Sequence, residues 1–145
     1  MKSKKKILVS ACLAGVNCKY NGRNNENSEV LKLLEKEDVI LVCPEQLGGL
    51  PPPRPCAEIK DNKVITNENR DVTCEYMKGA KETLNIAKKY HVKKAILKSK
   101  SPSCGKGTIY DGTFSGKLID GNGITTSLLL QNHIEVISSD EFQMS

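Results

Sequence analysis

Four short apolar runs, each rich in β-branched residues, constrain this chain more than any other feature. They are Lys5–Ser10 (KKILVS), Val39–Cys43 (VILVC), Lys93–Lys98 (KKAILK) and Ile134–Ser138 (IEVIS). Runs of this length without polar alternation read as strands buried on both faces. Helical patterns separate them. In NSEVLKLLEKED, Val30, Leu33 and Leu34 share one helical face, with Asn27 or Ser28 placed to cap it. In DVTCEYMKGAKETLNIAKKYH, Met77, Ala80, Leu84 and Ala87 recur at helical spacing behind a cap at Asp71 or Thr73. A shorter helix starts near Thr125, and AEIKDNKVIT reads as a hairpin turning at Asp61-Asn62. Strands alternating with helices imply right-handed crossovers and a parallel sheet covered on both faces. The expectation is an α/β fold: a single compact Rossmann-like domain over residues 1–145, with a mainly parallel sheet flanked by helices and a small hairpin insertion.

In such folds ligands sit outside the carboxyl ends of the strands, and there the cysteines gather. Cys43 closes the second strand, Cys12 follows the first after two residues, and Cys104 follows the third after a short loop. Neighbouring parallel strands lie about 4.8 Å apart, so three strand ends can bring three thiols to one centre without a local spacing motif. Each cysteine taken alone is equally a small buried hydrophobe; three at one sheet edge point to one site. Cys18 can complete a four-thiolate set or line the rim. Cys56, behind the polyproline turn, reads as a wall residue or a spare thiol, and Cys74 as a residue packed in the first turn of its helix. Thiolates select zinc, copper(I) or iron–sulfur clusters, and spacing leaves zinc and iron both open. Four thiolates make a closed structural centre, whereas three leave one iron of a cluster open to substrate.

Composition narrows the setting. The net charge of +5 comes from lysines spread along the chain, with knots at KSKKK and KKYHVKK. No basic motif is interleaved with aromatics, so nucleic-acid binding is disfavoured and solvated helix faces account for the charge. The start MKSKKKILVSAC resembles a lipoprotein signal, yet only Ile7–Ala11 separate the lysines from Cys12, short of the roughly 7–15 apolar residues such a region needs. No stretch is long enough to cross a membrane. The chain therefore reads as cytoplasmic, a compartment where six cysteines suggest metal or catalysis before disulfides.

Familiar motifs fail. There is no C-x-x-C, GKGT at Gly105–Thr108 lacks the order of a phosphate-cradling loop, and Arg23 lies one residue too close to Cys18 for a cysteine-phosphatase loop. His91 and His133 fall at helix ends, away from the rim, which disfavours a Cys–His pair. Near the cysteines stand Glu45, Ser101 and Ser103. Glu45 can serve as general acid or base, or simply pair with Arg54. The serines can donate to a substrate, or tie down the Ser-Pro-Ser turn.

The blocks ILVSACLAGVNCKYNG, VCPEQLGGLPPPRP, NRDVT, AILKSKSPSCGKGTIYDGTFSG and EVIS together resemble the thiouracil desulfurase family over nearly the whole chain. The resemblance implies an oxygen-sensitive [4Fe-4S] cluster held by Cys12, Cys43 and Cys104 alone. It implies a small-molecule substrate, 2-thiouracil or a related thiolated pyrimidine, whose soft sulfur binds the open iron. The block Cys-Pro-Glu assigns Glu45, and Ser-Pro-Ser-Cys assigns Ser101, to the hydrolysis that releases hydrosulfide. Cys56 departs from the family pattern, and that pattern gives Cys18 no ligand role. Two other classes remain: a non-catalytic zinc or iron–sulfur module with Cys18 as fourth ligand, and a redox sensor pairing Cys12 with Cys18.

Overall fold

Strand alternation decides how the sheet is covered. The computed structural model describes residues 6–143, so the basic knot before Lys6 and the first residue of the expected first strand lie outside the described residues. Strands β1 (Lys6–Ser10), β2 (Asp38–Val42), β5 (Lys94–Leu97) and β8 (Glu135–Ser138) form one sheet in the order β2-β1-β5-β8. All three pairings are parallel, with Leu8 beside both Ile40 and Ala95, and Ala95 beside Val136. Each observed strand lies within one residue of its expected start and end.

Side chains alternate between two cores, as a pleated strand demands. Leu8, Val42, Ala95, Leu97 and Val136 pack with Leu84, Ala87 and Leu129 from helices α3 (Thr73–Lys89) and α4 (Ile124–Gln131). Val9 and Ile96 point the other way, onto Val30 and Leu33 of helix α1 (Ser28–Lys36). Asn27 caps α1 by accepting the backbone N–H groups of Glu29 and Val30 at 2.9 and 3.1 Å. A third cluster, Ala57, Val64, Val72 and Tyr76, sits beneath the antiparallel hairpin β3 (Ala57–Lys60) and β4 (Lys63–Thr66). That hairpin turns at Asp61 and Asn62, both at positive φ, the type of residue pair such a turn selects.

Three details differ from the sequence expectation. The buried stripe of α3 runs through Tyr76, Gly79, Ala80, Thr83, Leu84 and Ala87, while Met77 lies at its margin and is 46% exposed. The stripe is turned toward Gly79 because that glycine packs against backbone. Neither Asp71 nor Thr73 acts as the N-cap of α3. Val72 holds that position without a side-chain bond; Asp71 accepts the Thr73 N–H at 2.9 Å, and the Thr73 hydroxyl accepts the Val64 N–H at 2.9 Å. A second antiparallel pair, β6 (Thr108–Tyr110) and β7 (Leu118–Asp120), stands in the glycine-rich stretch after Cys104, to which the sequence pattern assigns no element.

The chain turns from β1 to β2 on one side and continues to β5 and β8 on the other. The strand order thus reverses between β1 and β5, and their carboxyl ends diverge into a crevice.

Candidate functional site

That crevice is a cavity of about 460 Å³. Cys12, Cys43 and Cys104 line it together with Cys18, Glu45 and Ser101. The three strand-end cysteines expected to converge share one cavity, and so do the carboxylate and the serine.

Each reaches it by a different device. Cys12 lies in a 3₁₀ turn, Ala11–Ala14, that begins where β1 stops. Cys43 follows β2 and precedes the short helix α2 (Pro44–Leu47), whose first turn carries Glu45. Pro44 suits the first helical position because its missing N–H has no partner to lose. Cys104 lies in a tight turn closed by the Gly105 N–H donating to the Ser101 carbonyl at 2.8 Å. The Ser101 hydroxyl oxygen accepts the N–H groups of Ser103 and Cys104, each at 3.0 Å. Tying down this turn was one reading of the serine. Its hydroxyl hydrogen remains to be donated, since a hydroxyl accepts two bonds and gives one.

Helix α4 fastens the same turn from behind. Its Thr125 and Thr126 N–H groups donate to the Ser103 carbonyl, and the Thr126 hydroxyl donates to the Cys104 carbonyl at 2.7 Å. Gly123 is required at the join, because a Cβ there would stand 2.4 Å from the Ser103 backbone.

The thiols are not alike. Hydrogen bonding from the Cys18 thiol holds Cys12 down, to about 7, against the opposing effect of burial; the Asn25 side-chain amide, 3.5 Å from the Cys12 sulfur, acts in the same direction. Cys43 is lowered first by Cys18 as well, then by a backbone N–H at Gln46 and the charge of Arg54. Cys18, 2% exposed, is pushed far up by bonding to those two sulfurs and stays a thiol. Cys104, 3% exposed, is pushed up by burial and by the charge of Glu45. Burial also raises Glu45, against which the charge of Arg54 works, its guanidinium 3.7 Å away.

Five cysteines and the Glu45 carboxylate line the cavity, a soft, acid-rich donor set that a multiply charged iron cluster complements. A coordinated thiol is deprotonated outright, so a metal bound at Cys104 would offset the penalty that burial places there. Thiolates are the ligands that iron–sulfur clusters take. The donor set therefore fits the cluster.

A family model for 2-thiouracil desulfurase matches residues 7–141. The chain belongs to that family. It is 45% identical to the uncharacterized protein YbbK of Bacillus subtilis (strain 168), covering 93% of this chain and 96% of that protein. Among solved structures it is similar to the [4Fe-4S]-dependent thiouracil desulfidase TudS, with a TM-score of 0.90 and 42% identity, covering 96% of this chain and 93% of that one.

Around this desulfurase-family cavity stand three residues that the sequence did not single out, Asn25, Tyr76 and Tyr110. Lys98 lines it too, as does Arg54, the partner that the sequence offers to Glu45. Asn25 lies in the polar run NGRNNENS, where nothing distinguishes one asparagine from the next. Cys56 is half-buried in the cavity wall, whereas Cys74, expected to pack, is exposed. All six cysteines are free. His91 and His133 sit just beyond α3 and α4, at positive φ and away from the cavity lining. Among the described residues no helix is long and apolar enough to cross a membrane.

Proposed function

We propose that the chain acts as a single cytoplasmic desulfurase domain that converts 2-thiouracil, or a related thiolated pyrimidine, to its oxo form. In this reading a [4Fe-4S] cluster is held by Cys12, Cys43 and Cys104, and Glu45 and Ser101 assist hydrolysis. The carrying observation is that these three cysteines, from three strand ends, share one cavity with Glu45 and Ser101 in a chain of the desulfurase family. The reaction is a substitution: the carbon–sulfur double bond is replaced by carbon–oxygen, water supplies the oxygen, and hydrosulfide and a proton leave. No electron is gained or lost overall.

When bound, the cluster supplies a Lewis-acidic iron with affinity for the soft thiocarbonyl sulfur. Glu45 takes the proton from the attacking water; its desolvated position raises its basicity toward the range useful for that transfer. Ser101 orients the ring, using the hydroxyl hydrogen that its own turn leaves unspent. Cys18 is kept in its thiol form by bonding to the neighbouring sulfurs of Cys12 and Cys43, and then by burial.

The test is anaerobic purification with iron and acid-labile sulfide quantified, followed by turnover of 2-thiouracil to uracil and hydrosulfide. Alanine at Cys12, Cys43 or Cys104 should remove cluster and activity together, whereas Cys18→Ala should keep iron and sulfide. Iron retained in any of the first three variants, or lost only with Cys18, would reverse the ligand assignment.

A further inference from the structure

Arg54 is the most heavily engaged side chain in the cavity wall. It emerges from the proline-rich loop with a side chain 9% exposed. Its Nη1 donates to the Leu50 carbonyl at 3.0 Å, and its Nη2 donates to the Cys18 carbonyl at 3.0 Å. The same Nη2 lies 3.7 Å from Oε2 of Glu45, and among the described residues no other cation lies within 4.0 Å of that carboxylate. Its backbone N–H donates to the Tyr20 carbonyl at 2.8 Å. The Cys43 thiol points to the same Cys18 carbonyl, at 3.6 Å.

One residue thus joins the loop after β1, through the guanidinium at Cys18 and the backbone N–H at Tyr20, to both ends of the α2 segment, through the guanidinium at Glu45 and Leu50. Burying a guanidinium is costly unless its donors are met by fixed acceptors. Here the planar fork meets two carbonyls and a carboxylate, a task for which a lysine's point charge is poorly shaped. The Glu45 carboxylate faces the cavity with a side chain 15% exposed, so its direction depends on what holds it from behind.

We propose that Arg54 is a positioning residue for the desulfuration reaction: by clamping the Cys18 loop to the α2 segment it aims the carboxylate of Glu45 into the cavity. The inference rests on the reading of Glu45 as the proton acceptor. Arg54 touches neither the reacting carbon nor the sulfur donors; beyond the charge it lends to Cys43, its effect on turnover runs through Glu45.

The test uses the reconstituted holoenzyme and three variants: Arg54→Met, Arg54→Lys, and Arg54→Met in a Glu45→Gln background. Misplacing a reacting group by about 1 Å can cost a factor of about 100 in rate. Arg54→Met should therefore keep wild-type iron and sulfide, lower kcat by about 100-fold, and leave KM within about threefold. Arg54→Lys should recover part of the loss. Without Glu45, removing Arg54 should lower kcat no further, which a merely structural role would not produce.

Deuterium uptake, followed by mass spectrometry on the loaded enzyme, gives a reading independent of turnover. Uptake in residues 16–23 and 44–51 should quicken together in Arg54→Met. Unchanged kcat beside an active wild type, or unchanged uptake in both segments, overturns the proposal. If the wild type itself turns over no thiouracil, the Glu45 reading falls and the uptake arm alone decides the clamp. If Arg54→Met loses iron, Arg54→Lys carries both arms under the same criteria.

Discussion

Two opposing effects meet at Gly79, and the structure says which prevails. Glycine in the middle of a helix costs about 1 kcal/mol relative to alanine, so by propensity alone Gly79→Ala should stabilise α3. Its neighbourhood argues the reverse. A Cβ at Gly79 would stand 1.9 Å from the carbonyl oxygen of Pro44 and 2.8 Å from its carbon. The contact is reciprocal, since a Cβ at Gly48 would stand 2.0 Å from the Glu75 carbonyl oxygen. Both obstacles are backbone, so no side chain can swing aside. Real Cβ contacts do not fall below 3.0 Å, and α2 would have to retreat from α3 by about 1 Å. Overpacking costs about 1–3 kcal/mol; with no soft neighbour the upper end applies, and the propensity gain leaves a net loss of about 2 kcal/mol. For a chain of this length that lowers the midpoint of thermal unfolding by roughly 5 °C. The displaced segment carries Cys43 and Glu45, so a shift of about 1 Å should also lower kcat by about 100-fold. Thermal unfolding under anaerobic conditions and initial-rate kinetics on 2-thiouracil provide the two measurements. A variant with a raised midpoint and wild-type kcat would show that propensity governs, and that the close approach of α2 and α3 does not set the site.

Glu45→Gln should retain iron and sulfide and lower kcat by about 10²–10⁴-fold, the usual range for losing a general base; wild-type turnover would remove Glu45 from the chemistry. Asn25→Ala deletes a donor to the Cys12 sulfur, and such bonds favour the more negative cluster state. Taking about 1 kcal/mol for the bond, the cluster's midpoint potential should fall by about 40 mV in an EPR-monitored titration, and an unchanged potential would place the amide outside the sulfur's influence. Asp71 is held below its ordinary value of 3.8 by the Thr73 hydroxyl and N–H. A lowered carboxylate stabilises the fold above its unfolded value and loses that contribution as pH falls through its folded value. The stability gap between wild type and Asp71→Asn should be level above about pH 5 and shrink below about pH 4, in urea unfolding across that range; a gap constant to pH 2 would contradict the assignment.

The parts of this molecule that were legible in the sequence share one property: their signal is local. The four strands announce themselves by unbroken β-branched runs, and the observed sheet strands match them within a residue. Place just before the periodic pattern of α1 narrows its cap to Asn27 or Ser28, and Asn27 fills it. The cysteines could be sorted because a strand end is itself a position in space, and Cys12, Cys43 and Cys104 each follow one. What stayed hidden depends on partners distant in sequence. Strands β6 and β7 are three residues each, set among glycines and polar residues, too short for alternation to register. Met77 fits the helical spacing as well as Tyr76 does. The stripe turns away from it because Gly79 and Gly48 let two backbones meet, and a glycine carries no periodic signal of its own. The pairing of Arg54 with Glu45 is on offer in the sequence and is present, but its other acceptors lie on Cys18 and Leu50, in loops whose meeting no pattern foretells.

These hidden contacts explain how a rim made of loops can hold a defined shape. Loops are ordinarily the least ordered part of a fold, yet each cysteine here is fixed against a rigid element by a different means. Cys12 is held because its turn begins at the last residue of β1, and the Asn25 N–H donates back to its carbonyl at 2.9 Å. Cys43 is held through α2, pressed to α3 by the glycine pair. Cys104 is held by α4, whose first N–H groups and threonine hydroxyls bond the turn that carries it. The strand ends are linked as well: the Lys98 N–H donates to the Ser10 hydroxyl, and the Ser99 N–H to that of Ser139. With three separate anchors, loosening one should move its own wall most. Gly79→Ala tests the Cys43 wall first, because its strain enters through α2 and passes to the loop after β1 only through the Arg54 clamp.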